Sequence, residues 1–575
     1  MNTVKRRAAS RTGSRCAAVL PLVAALVAAG GARRLPAAPF RGPFPQFPTP
    51  KRLLIVPGTR HFGGVLVVDT LSGVLAWHDQ KVPGPMIWIS GGHYAIYHRW
   101  LRDWLKYHPV PVEPVAENEL WSLVARLHRE GLIKGYVLYR GKGDPSVNRA
   151  TSLCAPLDAI AVSLRLQPQA RAAGLKMVAD SRGKTFAWLL RKLHGRFSRT
   201  CLGTSTYLQT TMRDEIVAAN ALCVLNAPKG GYRRAIALMR PGGIVFGWGI
   251  GEFHLVNLAS RWGLRVVASN WSVNIPVLSA GASIARRGLH VAPARQGGEP
   301  MKFDRQRHYV AFLLSDGDNL QWLMGGFFWS HAWWLSPQRG KIPFGWGVCA
   351  SGLYQADPYV LRYLFRSAKA GDDFVYYPAY FYPDRFGAAR GGLKALVPAL
   401  RREDTLMRRL GLHLTYQITA GNWDSPACLK TYRLEARYMP SVRAILPVQY
   451  DPYAAGRGRI IWIKRPHGAP LPFISAFSAI WRQPHNSPVM GSPRYVAALL
   501  NRWAARRNTP LNQHFAWVVV HAWSRFGSRG GRHGRNVGAY GNAVNCAKRL
   551  GPAIKVVTLD QLVEMIIRAH EAKFR

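Results

Sequence analysis

Acidic residues are scarce in this chain. Of 575 residues, 29 are Asp or Glu against 78 Lys or Arg, giving a formal net charge of +49. A surface of that sign attracts polyanions such as anionic glycans, cell-wall polymers, nucleic acid or membrane phosphate. The basic residues are dispersed, however, with no long Lys/Arg block, zinc-finger spacing or RNP-like aromatic pattern. No specific nucleic-acid partner is therefore expected. Cysteine is also sparse. The seven, at 16, 154, 201, 223, 349, 428 and 546, contain no CxxC pair. A disulfide scaffold and a zinc ribbon are excluded, and buried free thiols are the expectation. There is no Walker A pattern, and the SxG fragments lack the setting of a nucleophile elbow. GWGIGEF at 247–253 has only part of a dinucleotide-loop glycine spacing, which is weak support. Outside the leader no apolar run reads as a membrane span.

What is present is a chain with 48% hydrophobic residues, 55 Gly and 39 Pro. That composition fits packed cores joined by many turns, and the length predicts two to four domains. Residues 1–38 look like an export signal, with Lys5, Arg6, Arg7, Arg11 and Arg15 ahead of a short apolar segment at 19–29. Small residues follow, with cleavage expected after Ala32 or Ala38. The predicted location is therefore exported: periplasmic, extracellular or cell-surface associated. A transmembrane anchor is expected only if the leader stays uncleaved.

Alternating strand and helix patterns predict an α/β protein. Residues 39–139 read as an N-terminal α/β lobe, with strands at 53–56, 65–69, 86–89 and 133–139. In the helix between them, Trp100, Trp104 and Tyr107 form a stripe expected to serve packing. Residues 140–295 read as further α/β lobe, with strand ends at Asp180, Asn226, Trp248, Glu252, Ser269 and Asn270 facing a shared crevice. Glu252 equally suits the first turn of a helix, where the dipole favours an acid. Residues 294–305 read as a linker. Residues 306–575 read as a larger, barrel-like domain of incomplete TIM type, with a large open sheet as the alternative. A basic, glycine-rich loop lies at 524–536.

One stretch organises the chemistry. Residues 309–314, YVAFLL, are continuously apolar, and SDGDN follows at 315–319. Such a run suits a strand covered on both faces, with the acidic cluster just past its C-terminal end, where α/β folds place ligands.

That stretch, with IPFGWG at 342–347, KGYVLYRGKGDPSVN at 134–148, the run 243–274 and VVTLDQLVEMI at 556–566, resembles the GxGYxYP putative glycoside hydrolase family. The naming motif departs from its pattern. Tyr377 and Ala379 stand where the two glycines belong, while Tyr380, Tyr382 and Pro383 match. If the glycines allow close approach, their replacements are expected to narrow the site. The resemblance implies an exported, multidomain α/β protein with a carbohydrate partner, and the basic charge extends that expectation to anionic glycans.

Glycosidic hydrolysis needs one carboxylic acid to protonate the leaving oxygen and a second carboxylate as nucleophile or base. Asp316 and Asp318 are the first candidates, one of them working with Asp424 or Asp384; Asp373 and Asp451 also lie at predicted strand or loop ends. Asn319, Trp346, Tyr380, Tyr382, Trp423, Trp481, His521 and Trp523 are candidate substrate contacts, mostly through aromatic faces. No cofactor is expected on this reading. An alternative gives Asp316, Asp318 and His521 a divalent metal, for a deacetylase-like hydrolysis. A third reading is a non-catalytic binder of anionic glycan or cell-wall polymer.

Overall fold

The computed structural model describes residues 42–572 except 60, 92–94, 228–229, 291–300, 317–318, 482–486, 507–513 and 528–535. The leader, most of the linker and most of the basic loop at 524–536 thus lie outside the described residues. Three small parallel sheets precede a large mixed one. The first holds β1 (Arg52–Pro57), β2 (Pro85–Ser90) and β3 (Val112–Pro114) in the order β2-β1-β3. The second holds β4 (Gly135–Tyr139), β5 (Ala159–Ser163) and β6 (Met177–Asp180) in the order β5-β4-β6. The third holds β7 (Cys201–Thr204), β8 (Leu222–Val224), β9 (Ile244–Gly247) and β10 (Arg265–Val267) in the order β10-β9-β7-β8.

The large sheet is built outward from β11 (His308–Leu314), in which every residue is buried. Helices cover such a strand on both faces, which is why its sequence shows no alternation. The later strands are β12 (Phe344–Val348), β13 (Asp372–Tyr376), β14 (Leu414–Thr419), β15 (Ala444–Gln449), β16 (Ile460–Ile463), β17 (Leu471–Ile474), β18 (Ser478–Ile480), β19 (Met490–Gly491), β20 (Phe515–Val520) and β21 (Ile554–Val556). Their order is β16-β17-β15-β14-β13-β12-β11-β20-β18-β19, with β21 also on β11. Only β16 runs antiparallel to its neighbour. β17 and β18 are separated by residues 475–477, yet β17 pairs with β15 and β18 with β20. The two arms of the sheet therefore approach each other here, where Phe477 N donates to Trp517 O at 2.9 Å. β17 and β18 do not pair with each other, and no closed ladder forms among the described residues.

The pattern reading erred where burial hides periodicity. Residues 65–69, expected as a strand, lie inside the 18-residue helix Phe62–Asp79. That helix is buried along most of its length, so its apolar residues surround it and leave no 3.6-residue stripe to read. Strands β5 and β7 and the helix Pro426–Tyr438 were not anticipated. The aromatic stripe does pack: the indoles of Trp100 and Trp104 are buried and donate to Met324 O at 2.7 Å and Ala280 O at 3.1 Å. The six cysteines in the described region are buried and form no disulfide among the described residues. Among the described residues no helix is long and apolar enough to cross a membrane.

The third small sheet docks directly on the large one. Val266 in β10 and Tyr380, just after β13, exchange two backbone hydrogen bonds of 2.8 and 2.9 Å as an antiparallel bridge. Gln321 N donates to Ala268 O at 3.0 Å, and the Gln321 side chain accepts from Trp271 N at 2.9 Å. These contacts bring the C-terminal ends of β9 and β10 against those of the large sheet.

Candidate functional site

A cavity of about 400 Å³ opens at this junction. The third sheet contributes Trp248 and Glu252 after β9, and Ala268 and Trp271 after β10. The large sheet contributes Asp316, Asn319 and Gln321 after β11, and Tyr380 after β13. It also supplies Tyr450, Asp451 and Tyr453 after β15, Trp481 after β18, and His521 and Trp523 after β20. Every contributor follows the C-terminal end of a parallel strand, where the strand direction turns loops toward a common crevice.

Asp316 sits at the break after β11 with a left-handed φ of 58°, a conformation that non-glycine residues adopt when the surroundings enforce it. Burial, and then the charge of Glu252, push its carboxyl up to about 8, against a hydrogen bond from the Trp523 side chain. His521 stands beside it, with Nε2 3.7 Å from Asp316 Oδ2. Its other nitrogen, Nδ1, accepts from Trp523 N at 3.2 Å. An imidazole that accepts at Nδ1 carries its proton on Nε2, so His521 presents N–H toward the Asp316 carboxyl. Burial lowers its ionisation to about 3, and the ring stacks on Trp481.

Glu252 opens the helix Glu252–Arg261, where the unsatisfied amide end favours a negative charge. It accepts hydrogen bonds from the Tyr380 hydroxyl and from Tyr450. Burial raises its carboxyl above the ordinary glutamate range, while both tyrosines pull the other way. Burial raises the ionisation of the Tyr450 phenol, and the neighbouring Glu252, Asp451 and Asp316 carboxyls push it the same way. Three carboxyl groups therefore surround one tyrosine.

Asn319 caps the helix Leu320–Met324 through its side chain, which accepts from Trp322 N at 3.3 Å, and also lines the cavity. Asp318 lies outside the described residues. Other expected contributors stand elsewhere. Asp384 accepts from Ala420 N and Gly421 N at 2.9 and 3.0 Å and fixes the loop after β14. Asp424 pairs with Arg459 at 3.0 Å. Asp373 is the second residue of β13, near the opposite end of the strand from the cavity, and accepts from Asp560 N at 3.0 Å. Trp346 is core: its indole donates to Asp372 at 2.8 Å among Trp334, Phe344 and Tyr540. Trp423 is buried with Arg459 over its ring, and Tyr382 is buried behind the cavity against Phe253 and Tyr450. Neither of them lines it.

Residues 306–567 match the GxGYxYP putative glycoside hydrolase C-terminal domain, 133–197 the GxGYxYP_N second domain and 198–280 the GxGYxYP third domain. The chain belongs to the GxGYxYP family. A crystal structure described as that of a putative hydrolase from Bacteroides thetaiotaomicron VPI-5482 is similar, with a TM-score of 0.75 and 24% identity. The match covers 93% of this chain and 98% of that one, and the likeness is one of fold. Among curated proteins none matches.

In this GxGYxYP protein the altered naming motif does not narrow the cavity. Tyr377 and Ala379, in place of the glycines, are buried and do not line it; Tyr377 packs on Tyr416, with ring centroids 4.5 Å apart. Among the described residues no group of three His, Cys, Asp or Glu has the arrangement of a metal site. For the alternative set of Asp316, Asp318 and His521, the proton on His521 Nε2 leaves no lone pair facing Asp316, and Asp318 lies outside the described residues. Among the described residues no Lys or Arg lines the cavity.

Proposed function

We propose that the protein hydrolyses a glycosidic bond, with Asp316 as general acid and Glu252 as its ionised partner. The observation that carries this is the unequal setting of two carboxyls in one aromatic-lined cavity. Asp316 is desolvated and keeps its proton at neutral pH. Glu252 sits at a helix N-terminus with two phenol donors. Pairs whose surroundings separate their protonation states divide into acid and base. Asp316 would give its proton to the leaving oxygen, while Glu252 attacks the anomeric carbon or takes a proton from water. His521 is a positioning residue, aiming N–H at the acid. Trp248, Trp271 and Trp481 offer faces for the apolar side of a pyranose.

In this reading the large sheet works as an incomplete barrel; the approach of its two arms at residues 471–480 supports that. Catalysis outside the cytoplasm is supported by the leader at 1–38, and a glycan partner by the family. The test is turnover of a glycan library, with and without chelator, by wild type, Asp316→Asn and Glu252→Gln. Loss of about 10²- to 10⁴-fold in each variant, insensitive to chelator, is expected. Full activity in either variant sinks the assignment, and chelator-sensitive turnover points to the metal-dependent reaction.

A further inference from the structure

The cavity differs in charge from the rest of the molecule. The chain carries 78 basic residues and 29 acidic ones, yet among the described lining residues the ionisable acids are Asp316, Glu252 and Asp451, and none is Lys or Arg. A uronate, sulfate or phosphate placed there would be desolvated beside like charge with no counter-cation among the described lining residues, which opposes binding. Seven of the lining residues are Trp or Tyr, and ring faces attract cations as well as sugar C–H faces.

Two of the three acids already have partners. Asp316 is held by Trp523 and faced by His521. Glu252 accepts from Tyr380 and Tyr450. Asp451 is exposed at the cavity and forms no ion pair among the described residues. It follows Tyr450 and precedes Tyr453, both of which line the same wall.

We infer that the sugar bound here carries a free amine: the site takes a hexosamine unit, with Asp451 pairing its ammonium and the surrounding ring faces enclosing it. This rests on the cavity being the glycosidase site proposed above. The cationic body does not contradict it. The field of exposed charges falls off over about 8 Å at physiological ionic strength, whereas contacts within a partly enclosed cavity are screened less. Long-range repulsion and short-range attraction then separate with salt, so capture of the amine-bearing sugar tightens as moderate salt removes the repulsion.

The test compares oligosaccharides that differ only at C2, bearing amine, acetamido or hydroxyl, together with a uronate analogue. Binding is read by calorimetry on full-length Asp316→Asn, and turnover on wild type. The amine is expected to bind at least tenfold more tightly than the hydroxyl at pH 6. That advantage is expected to fade as the amine loses its proton near pH 8, and to vanish in Asp316→Asn/Asp451→Asn but persist in Asp316→Asn/Asp451→Glu. Equal binding of amine and hydroxyl, or preference for the uronate, overturns the inference. Amine-selective binding without turnover of any glycan keeps it and removes the hydrolase reading. Turnover of glycans with no amine preference does the reverse.

Discussion

The Tyr380 hydroxyl donates to Glu252, and so joins the segment after β13 to the helix after β9. The same tyrosine bridges β10 through its backbone. Tyr380 thus fixes the distance between the two sheets and stabilises the charge of the group that must stay ionised. Removing only the oxygen, in Tyr380→Phe, takes away a hydrogen bond to a charged group, worth about 1.5–3 kcal/mol. The expected result is a fall in kcat of roughly 10- to 100-fold by the same relation, with the acid limb of the pH profile moved upward. An unmoved limb in steady-state kinetics would falsify the role given to this contact.

The pH profile of the wild type should itself be displaced to high pH. Asp316 is raised to about 8, and a general acid is active while protonated, so kcat/KM should hold through neutrality and decline above about pH 8. Glu252 is raised too, so the rise on the acid side should come above the ordinary glutamate range. An optimum near pH 4 would contradict both assignments.

His521 should be invisible in that profile. Its ionisation is lowered to about 3, so no limb should appear near the usual imidazole value. In His521→Ala, kcat should drop about tenfold with KM little changed, since one uncharged contact to the acid is lost. A KM effect alone would make His521 a substrate contact and not a positioning residue.

Buried carboxyls outside the site should shape stability. Glu435 is raised to about 8 by burial, eased only by Gln417, whose amide donates to it at 3.2 Å. A carboxyl whose folded value is raised binds its proton more tightly in the native state. Stability is therefore greatest below the unfolded value and falls as pH rises through about 8. Glu435→Gln should flatten that decline by a few kcal/mol, seen as a smaller loss of Tm between pH 5 and pH 8. An unchanged slope would mean that Glu435 does not titrate in this range.

Arg265 in β10 pairs with Glu403, both almost fully buried, and Tyr376 donates to the same carboxylate. Arg265→Met would leave a buried charge without its partner, at a cost of about 3–5 kcal/mol. Arg265→Met/Glu403→Leu should regain most of it. Chemical denaturation of the two variants reads the difference directly.

Asp316 was legible because polarity switches abruptly after six apolar residues, a pattern that a strand buried on both faces imposes on its sequence. Asn319, Tyr380, Trp481, His521 and Trp523 also reach the cavity from positions the sequence marks as strand ends or aromatic runs. Glu252 was ambiguous for a physical reason. An acid at the first position of a helix is favoured by the helix itself, so its sharing a cavity with Asp316, 64 positions further along the chain, shows only once the two sheets are docked. Asp384 and Asp424 gave the same local signal as Asp451, an acid in a polar break after a strand. Only the path of each loop separates a carboxylate that binds backbone amides or an arginine from one that meets a cavity. Trp346 was misread because a tryptophan on a strand shows in sequence neither which face it occupies nor that an aspartate awaits its indole.

The paired backbone of Val266 and Tyr380 bears on how this scaffold can be reused. A graft of residues 306–567 alone would carry a proton donor without its counter-group, because the glutamate travels with the preceding module. Transplanting the chemistry means moving the seam between modules, and the smallest portable unit therefore includes both sides of it.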